Sequence, residues 1–245
     1  MGQKVRPTGF RIGIMEGWKS QWYASKQDFS DLLIEDVKIR RFIQRYLTKR
    51  SQREQRPGIS RIQIDRTREK VLVTISSSRV GMIIGKKGEN IDKLTEALQN
   101  LTHRVIEIKT FEVLHPETDP QLIAEDIAEQ LEKRASFRRT MKQAITKAME
   151  NGARGVKVQL SGRLGGAEMA RCEKAMDGSI PLSTLRTRVE YGFAEASTAQ
   201  GNIGIKVWIN NGDYLTEEAG DAANAQARQV PKKPAGRRER ERPPR

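Results

Sequence analysis

The chain has one cysteine, Cys172, and two histidines, His103 and His115, among 245 residues. A single cysteine excludes an internal disulfide, and Cys172 is expected to be a small, semi-buried residue. One Cys and two His supply too few ligands for a His/Cys zinc site. A Ser-His-Asp or Cys-His arrangement would need one of those two histidines, and neither lies in a nucleophile motif. No phosphate loop of the form G-x-x-x-x-G-K-S/T is present. These absences argue against an enzyme, and no cofactor, metal or small-molecule substrate is expected. No run of eighteen apolar residues occurs, so no membrane span is expected. The opening Met1-Gly2-Gln3-Lys4-Val5-Arg6 lacks the apolar stretch of a signal peptide, and Arg6 breaks the myristoylation pattern. The expected location is the cytoplasm.

What the chain has is positive charge. Lys and Arg number 45 against 31 Asp and Glu, giving a formal net charge of +14 and a sequence pI of about 10.1. That excess points to a polyanionic partner, most often nucleic acid.

Residues 1–15 read as a basic leader. Gly2, Pro7, Gly9 and Gly13 lie among Lys4, Arg6 and Arg11, a mix that suits an extended strand on a charged surface. Ser30 is placed to cap a helix from Asp31 to Lys49. Its apolar positions Leu33, Val37, Ile39, Phe42, Ile43, Tyr46 and Leu47 follow helical spacing. Pro57-Gly58 ends that pattern. Ile62 and Ile64, then Val71, Val73 and Ile75, alternate with polar residues and predict a β-hairpin. A short helix, a loop Gly85–Gly88, a helix over Glu89–Leu101 and a strand around Val105–Phe111 follow.

The pattern restarts after His115-Pro116. Asp119 is placed to cap a helix with Pro120 at its first position. Ser136 is placed to cap another, which ends at Asn151-Gly152. Strands are expected near Val156–Leu160, Arg186–Ala194 and Ile203–Ile209. The Gly-rich stretch between the first two carries a short helix over Ala167–Lys174. The end of the chain, 228–245, has eight Lys or Arg and two Glu, a net +6. Such a segment cannot build a core and reads as disordered. The expected organisation is therefore a leader (1–15), an α-β-β-α-α-β domain (16–112), a second α+β domain with two helices on a small, mostly antiparallel sheet (113–211), and a disordered basic tail (212–245).

Three motifs carry chemistry. Ile83-Ile84-Gly85-Lys86-Lys87-Gly88-Glu89-Asn90-Ile91 sets two glycines three apart before a helix whose N-terminal N–H groups and dipole suit a phosphate. With two strands before it and one after, Gly85, Lys86, Lys87 and Gly88 form the glycine-loop clamp of a KH domain of the second topology. A motif of that kind alone fits any helix–helix turn; its surroundings make the difference. An RRM is excluded because the strands near Ile62 and Val73 carry no aromatic to stack a base. Recognition should therefore be mostly of backbone and shape.

The second motif is Phe137-Arg138-Arg139-Thr140-Met141-Lys142. From Lys133 to Lys147 there are six basic residues and no acidic one. A solvated helix face usually mixes signs, so this face reads as a phosphate-gripping ridge. The third is Ser161-Gly162-Arg163-Leu164-Gly165-Gly166-Ala167-Glu168, where Arg163 can reach phosphate, although the segment equally fits a simple turn. Lys4, Arg6 and Arg11 are further RNA candidates. Glu35, Asp36, Glu125, Asp126 and Glu129 read as contacts within the protein.

Together these stretches resemble the bacterial-type ribosomal S-three family of the small subunit. Met1–Pro7 with Phe10–Gly13, Pro181–Arg186 and Ile203–Ile209 extend the resemblance over about residues 1–212. It implies a place in the head of the small subunit, bound to its rRNA, with neighbours the head proteins numbered two, ten and fourteen. It also implies that Arg138, Arg139 and Lys142 line the mRNA entry path and help open mRNA structure. Thr140 stands where family members often have alanine, without bearing on the three basic positions. Two alternatives stay open: a free KH-containing regulator, and a lyase acting on damaged DNA through a lysine.

Overall fold

In the computed structural model, residues 4–50, 57–67, 69–85 and 88–214 are described. The tail 215–245 and the loop lysines Lys86 and Lys87 lie outside the described residues.

The leader is not extended. Pro7–Arg11 forms one helical turn, α1, with Pro7 at its first position, where the missing N–H costs nothing. A two-residue strand, β1 (Ser20–Gln21), joins the first sheet in parallel with β2 (Ile59–Arg66). Between them runs helix α2 (Phe29–Arg50), so Ser30 lies inside the helix and not at its cap. β2 pairs antiparallel with β3 (Lys70–Ser77), as the alternation predicts. Helix α3 (Val80–Ile84) and helix α4 (Glu89–Thr102) flank the glycine loop, and β4 (Val105–Glu112) pairs in parallel with β3. The sheet order is β1-β2-β3-β4.

One face of this sheet makes the first core. Ile62, Ile64, Val71, Val73, Ile75 and Ile106 meet Ile39, Ile43 and Leu47 of α2, Ile83 of α3, and Leu94 and Leu98 of α4. Each side chain removed from water in this way contributes roughly 1.5–3 kcal/mol. At 3.6 residues per turn Leu33 and Val37 fall on a different side of α2 from the buried Asp36, Ile39 and Ile43, and they stay exposed.

The second half is built around β5 (Gly155–Gly162), β6 (Arg171–Gly178), β7 (Thr187–Thr198) and β8 (Gly201–Asp213), in the order β6-β5-β8-β7 and antiparallel throughout. Helices α5 (Pro120–Glu132) and α6 (Phe137–Glu150) cover one face. There Val156, Val158 and Leu160 meet Val207, Ile205 and Ile209, closed by Ile127, Leu131, Met141 and Ile145. Gly192 in β7 is required by this packing. A Cβ there would lie 2.1 Å from the carbonyl oxygen of Pro120, so α5 can rest directly on the strand.

The short helix expected over Ala167–Lys174 does not form. Residues 171–178 pair with the whole of β5 as an edge strand, and tertiary pairing overrides the local helix preference of Ala, Glu, Met and Lys. Cys172 lies exposed on this strand instead of half-buried. Strand β8 runs to Asp213, past the expected start of the tail.

Asp119 caps α5, accepting from the backbone N–H of Gln121 at 2.9 Å and of Leu122 at 3.2 Å. Its other oxygen accepts from the Ser60 hydroxyl on β2, so one carboxylate caps a helix and ties the halves together. Asp119→Ala should lower stability by about 1–2 kcal/mol, read by thermal melting. A change within ~0.3 kcal/mol would show that this cap does not matter. Ser136 occupies the corresponding position before α6, but its side chain makes no capping bond.

Candidate RNA-binding surfaces

Helix α6 sorts its residues by face. Thr140, Met141, Ile145 and Ala148 are buried, while Arg138, Arg139 and Lys142 are exposed. The Thr140 hydroxyl donates to the Ser136 carbonyl at 3.0 Å on the inner side, away from the cations. The packed inner face fixes the helix, so the three charges project from a rigid base. Among the described residues none of the three is in an ion pair. The Arg138 and Arg171 guanidiniums each lie 5.5 Å from the Phe137 ring, which holds Arg138 at the helix start. A groove of about 690 Å³ runs between α6 and β6, lined by Arg138, Arg139, Lys142, Thr146, Glu173 and Lys174. Its one carboxylate, Glu173, is paired with Arg171 at 3.1 Å. The groove is thus cationic, and the positive end of the α6 dipole adds to it. It is open and edged by cations, a shape suited to a strand's backbone.

The glycine loop has the backbone its sequence demands. Gly85 and Gly88 have φ of +73° and +84°, in the left-handed region. A Cβ on Gly85 would lie 2.2 Å from the Asn90 amide, whose nitrogen donates to the Met82 carbonyl at 3.3 Å. Gly88 caps α4, but the first turn behind it carries Glu89 and Asp92. Those carboxylates oppose the dipole's pull on a phosphate, so the loop is a weaker anion site than its spacing alone implies.

The other expected contacts divide. Lys4 and Arg6 are exposed, and the Arg6 guanidinium lies 4.8 Å from the centre of the Tyr191 ring. Arg163 is exposed but braces its own loop, donating to the Ala167 carbonyl at 3.0 Å and the Gln200 carbonyl at 3.3 Å. Arg11 is a correction. It is fully buried, with Nε donating to the Thr187 carbonyl at 2.8 Å and its terminal nitrogens to the Thr184 and Pro7 carbonyls at 2.9 and 3.2 Å. It fastens the leader to β7 and cannot reach RNA.

Two family models match the chain: a KH domain over residues 38–118, and the ribosomal protein S3 C-terminal domain over residues 127–209. Curated relatives include the small ribosomal subunit protein uS3 of Rhodopirellula baltica, 56% identical over 234 residues, covering 96% of this chain and 98% of that protein. The uS3 proteins of Clostridium novyi and Alkaliphilus oremlandii are 50% and 48% identical, covering 88% and 91% of this chain and 95% and 92% of their own lengths. The chain belongs to the uS3 family of small ribosomal subunit proteins. It is a KH-containing ribosomal protein and not an enzyme.

Each family model spans one of the main candidates. The KH match contains Gly85–Gly88, and the C-terminal match contains Arg138, Arg139, Lys142 and Arg163. Neither spacing nor motif announces a further cationic cluster in this uS3 chain. Arg40 of α2 donates to the Lys19 carbonyl at 2.9 Å, to the Ser20 hydroxyl at 2.7 Å and to the Ile62 carbonyl. Partial burial, then the Arg61, Arg40 and Arg6 charges, hold the Lys19 ammonium below its ordinary pKa. Burial lowers Arg40 likewise, against the pull of Asp36. Asp36 itself is committed elsewhere, accepting from Trp22 at 2.8 Å and from Arg66 at 2.9 Å. Residues from three separate segments make this cluster, which is why only the folded chain reveals it.

Proposed function

We propose that this chain is a structural constituent of the small-subunit head, held by its rRNA beside the head proteins numbered two, ten and fourteen. Its two halves, dividing near residue 112, act as separate RNA-facing domains. Arg138, Arg139 and Lys142 line the path by which mRNA enters and grip the phosphates of a single strand. Gly85–Gly88 is a secondary clamp, and Lys4, Arg6 and Arg163 add rRNA contacts. The observation that carries this reading is the set of three exposed cations, in no ion pair among the described residues, on one helix locked by its buried face.

Such a grip is sequence-blind, because phosphates are the same under every base. Strand opening is then passive: α6 holds the strand that has separated, and movement of the mRNA through the particle supplies the work. Charge reversal of Arg138, Arg139 and Lys142 should leave subunit assembly intact. It should slow elongation through stable mRNA hairpins roughly tenfold, since three exposed contacts at ~0.5 kcal/mol each sum to about 1.5 kcal/mol. Unchanged elongation through such hairpins would overturn the assignment. A gradient profile with most of the protein away from small subunits would favour a free RNA regulator instead.

A further inference from the structure

The second sheet has a face that α5 and α6 do not cover. Strand register lays its side chains out in rows. Met176, Lys157, Trp208 and Tyr191 form one row across β6, β5, β8 and β7, and Lys174, Gln159, Lys206 and Phe193 form the next. Cys172, Ser161, Gly204 and Glu195 form a third. Among the described residues the leader crosses the Thr187 end of the face, through α1 and Arg11, and reaches the first row through Arg6 over Tyr191.

Aromatic residues are just 5% of this chain, yet three of them share two adjacent strands here. Tyr191 and Trp208 meet edge to face with centroids 5.4 Å apart, and Phe193 is 37% exposed. Gly204 leaves the floor beside the Phe193 ring empty. Cations surround the rings: Lys157 lies 5.1 Å from the centre of Trp208 and Arg6 4.8 Å from Tyr191, with Lys206 and Lys174 alongside. None of these four has a carboxylate partner among the described residues. Glu195 is the only acid in the three rows.

We propose that this open face is a base-stacking platform for single-stranded RNA. Trp208, Tyr191 and Phe193 receive bases, while Lys157, Lys174, Lys206 and Arg6 hold phosphates. Bases and phosphates alternate along a strand, as aromatics and cations do across these rows. The cations now over the rings sit on long, unpaired side chains. An arriving base takes the ring face, where stacking outweighs an exposed cation–π contact, and the displaced cation turns to the phosphate. The first sheet, with no such rings on its hairpin, reads backbone and shape; this second sheet adds sequence-tolerant stacking. The inference rests on the RNA-binding reading proposed above and adds a second contact surface to it.

The test uses the full chain, a fluorescent decauridine, and an abasic strand with the same phosphates. Phe193→Leu and Trp208→Leu should each weaken decauridine binding roughly tenfold and leave the abasic strand unaffected. Trp208→Phe keeps a ring and should retain most affinity, which separates stacking from misfolding. Crosslinks from 4-thiouridine oligonucleotides on the unaltered protein should map to β7 and β8. Equal losses on both strands, no loss on either, or crosslinks confined to α6 and the glycine loop would overturn the platform. Charge reversal at Arg138, Arg139 and Lys142 should instead weaken both strands alike. If it does so while the Leu variants behave as wild type, RNA binding at α6 stands and the platform falls. If the unaltered protein binds neither strand at low salt, the underlying reading fails. Should the Leu variants bind RNA normally but leave small subunits incomplete, the face is covered by a protein, and the proposal is wrong.

Discussion

Affinity of the free chain for single-stranded RNA should fall by about two and a half to four decades between 50 and 200 mM salt, the response of a footprint of roughly 6–10 phosphates. The sign follows from where the charge stands. The net charge of +14 is not all available, because part of it is already matched within the protein. Lys93 pairs with Glu89, and Lys133 pairs with Glu129 at 2.6 Å. Those lysines release few counterions. Arg138, Arg139 and Lys142 pair with nothing among the described residues, so each should count as nearly a full phosphate contact. Neutralising all three should flatten the plot of log affinity against log salt by about 2, at ~0.7 per contact on a single strand. Lys133→Gln, on the same stretch of sequence, should leave the slope in place. A wild-type slope as shallow as ~1, or equal effects from Lys133 and the three α6 residues, would refute a phosphate grip at α6.

The first half was open to sequence reasoning because each of its signals is local. Ile62 and Ile64 alternate against Val71, Val73 and Ile75, while Leu94 and Leu98 recur at helical spacing, and those residues form its core. The α6 ridge was readable for a similar reason: an unmixed run of positive charge is visible in one dimension. What escaped depends on distant partners. β1 is two residues long and exists only because β2 offers it an edge. β6 has the composition of a helix and becomes a strand because β5 needs a neighbour. Leu33 and Val37 repeat the four-residue interval of Ile39 and Ile43 but sit on another side of α2, so an interval shared within each pair did not put the two pairs on one face. The aromatic face of the second sheet was hidden because Tyr191 and Phe193 on β7 and Trp208 on β8 become neighbours only once register is set.

Arg11→Met should lower the stability of the chain by about 3–5 kcal/mol. In sequence, Arg11 is one more cation in a basic leader; in the fold it is the largest fully buried side chain among the described residues. Among the described residues no carboxylate neutralises it. Carbonyl dipoles do so instead, from Pro7 behind it and from Thr184 and Thr187 across the gap. Methionine fills most of the volume but donates nothing, so the Pro7, Thr184 and Thr187 carbonyls lose a charged donor together. Each such bond is worth about 1.5–3 kcal/mol, and the sum is moderated because water can enter as the leader lifts. Lysine keeps the charge but has one ammonium where a fork spans several acceptors, so Arg11→Lys should recover only part of the loss. The leader has a second anchor, the Tyr214 hydroxyl donating to Glu16 at 2.9 Å. That anchor should limit the damage to detachment of residues 4–15 and loosening of the Thr187 end of β7, visible as faster amide exchange there before global unfolding. At this chain length the shift in melting temperature should be roughly 10 °C. If Arg11→Met instead melts within about 1 kcal/mol of wild type and weakens RNA binding, the guanidinium faces RNA and the burial described here is wrong.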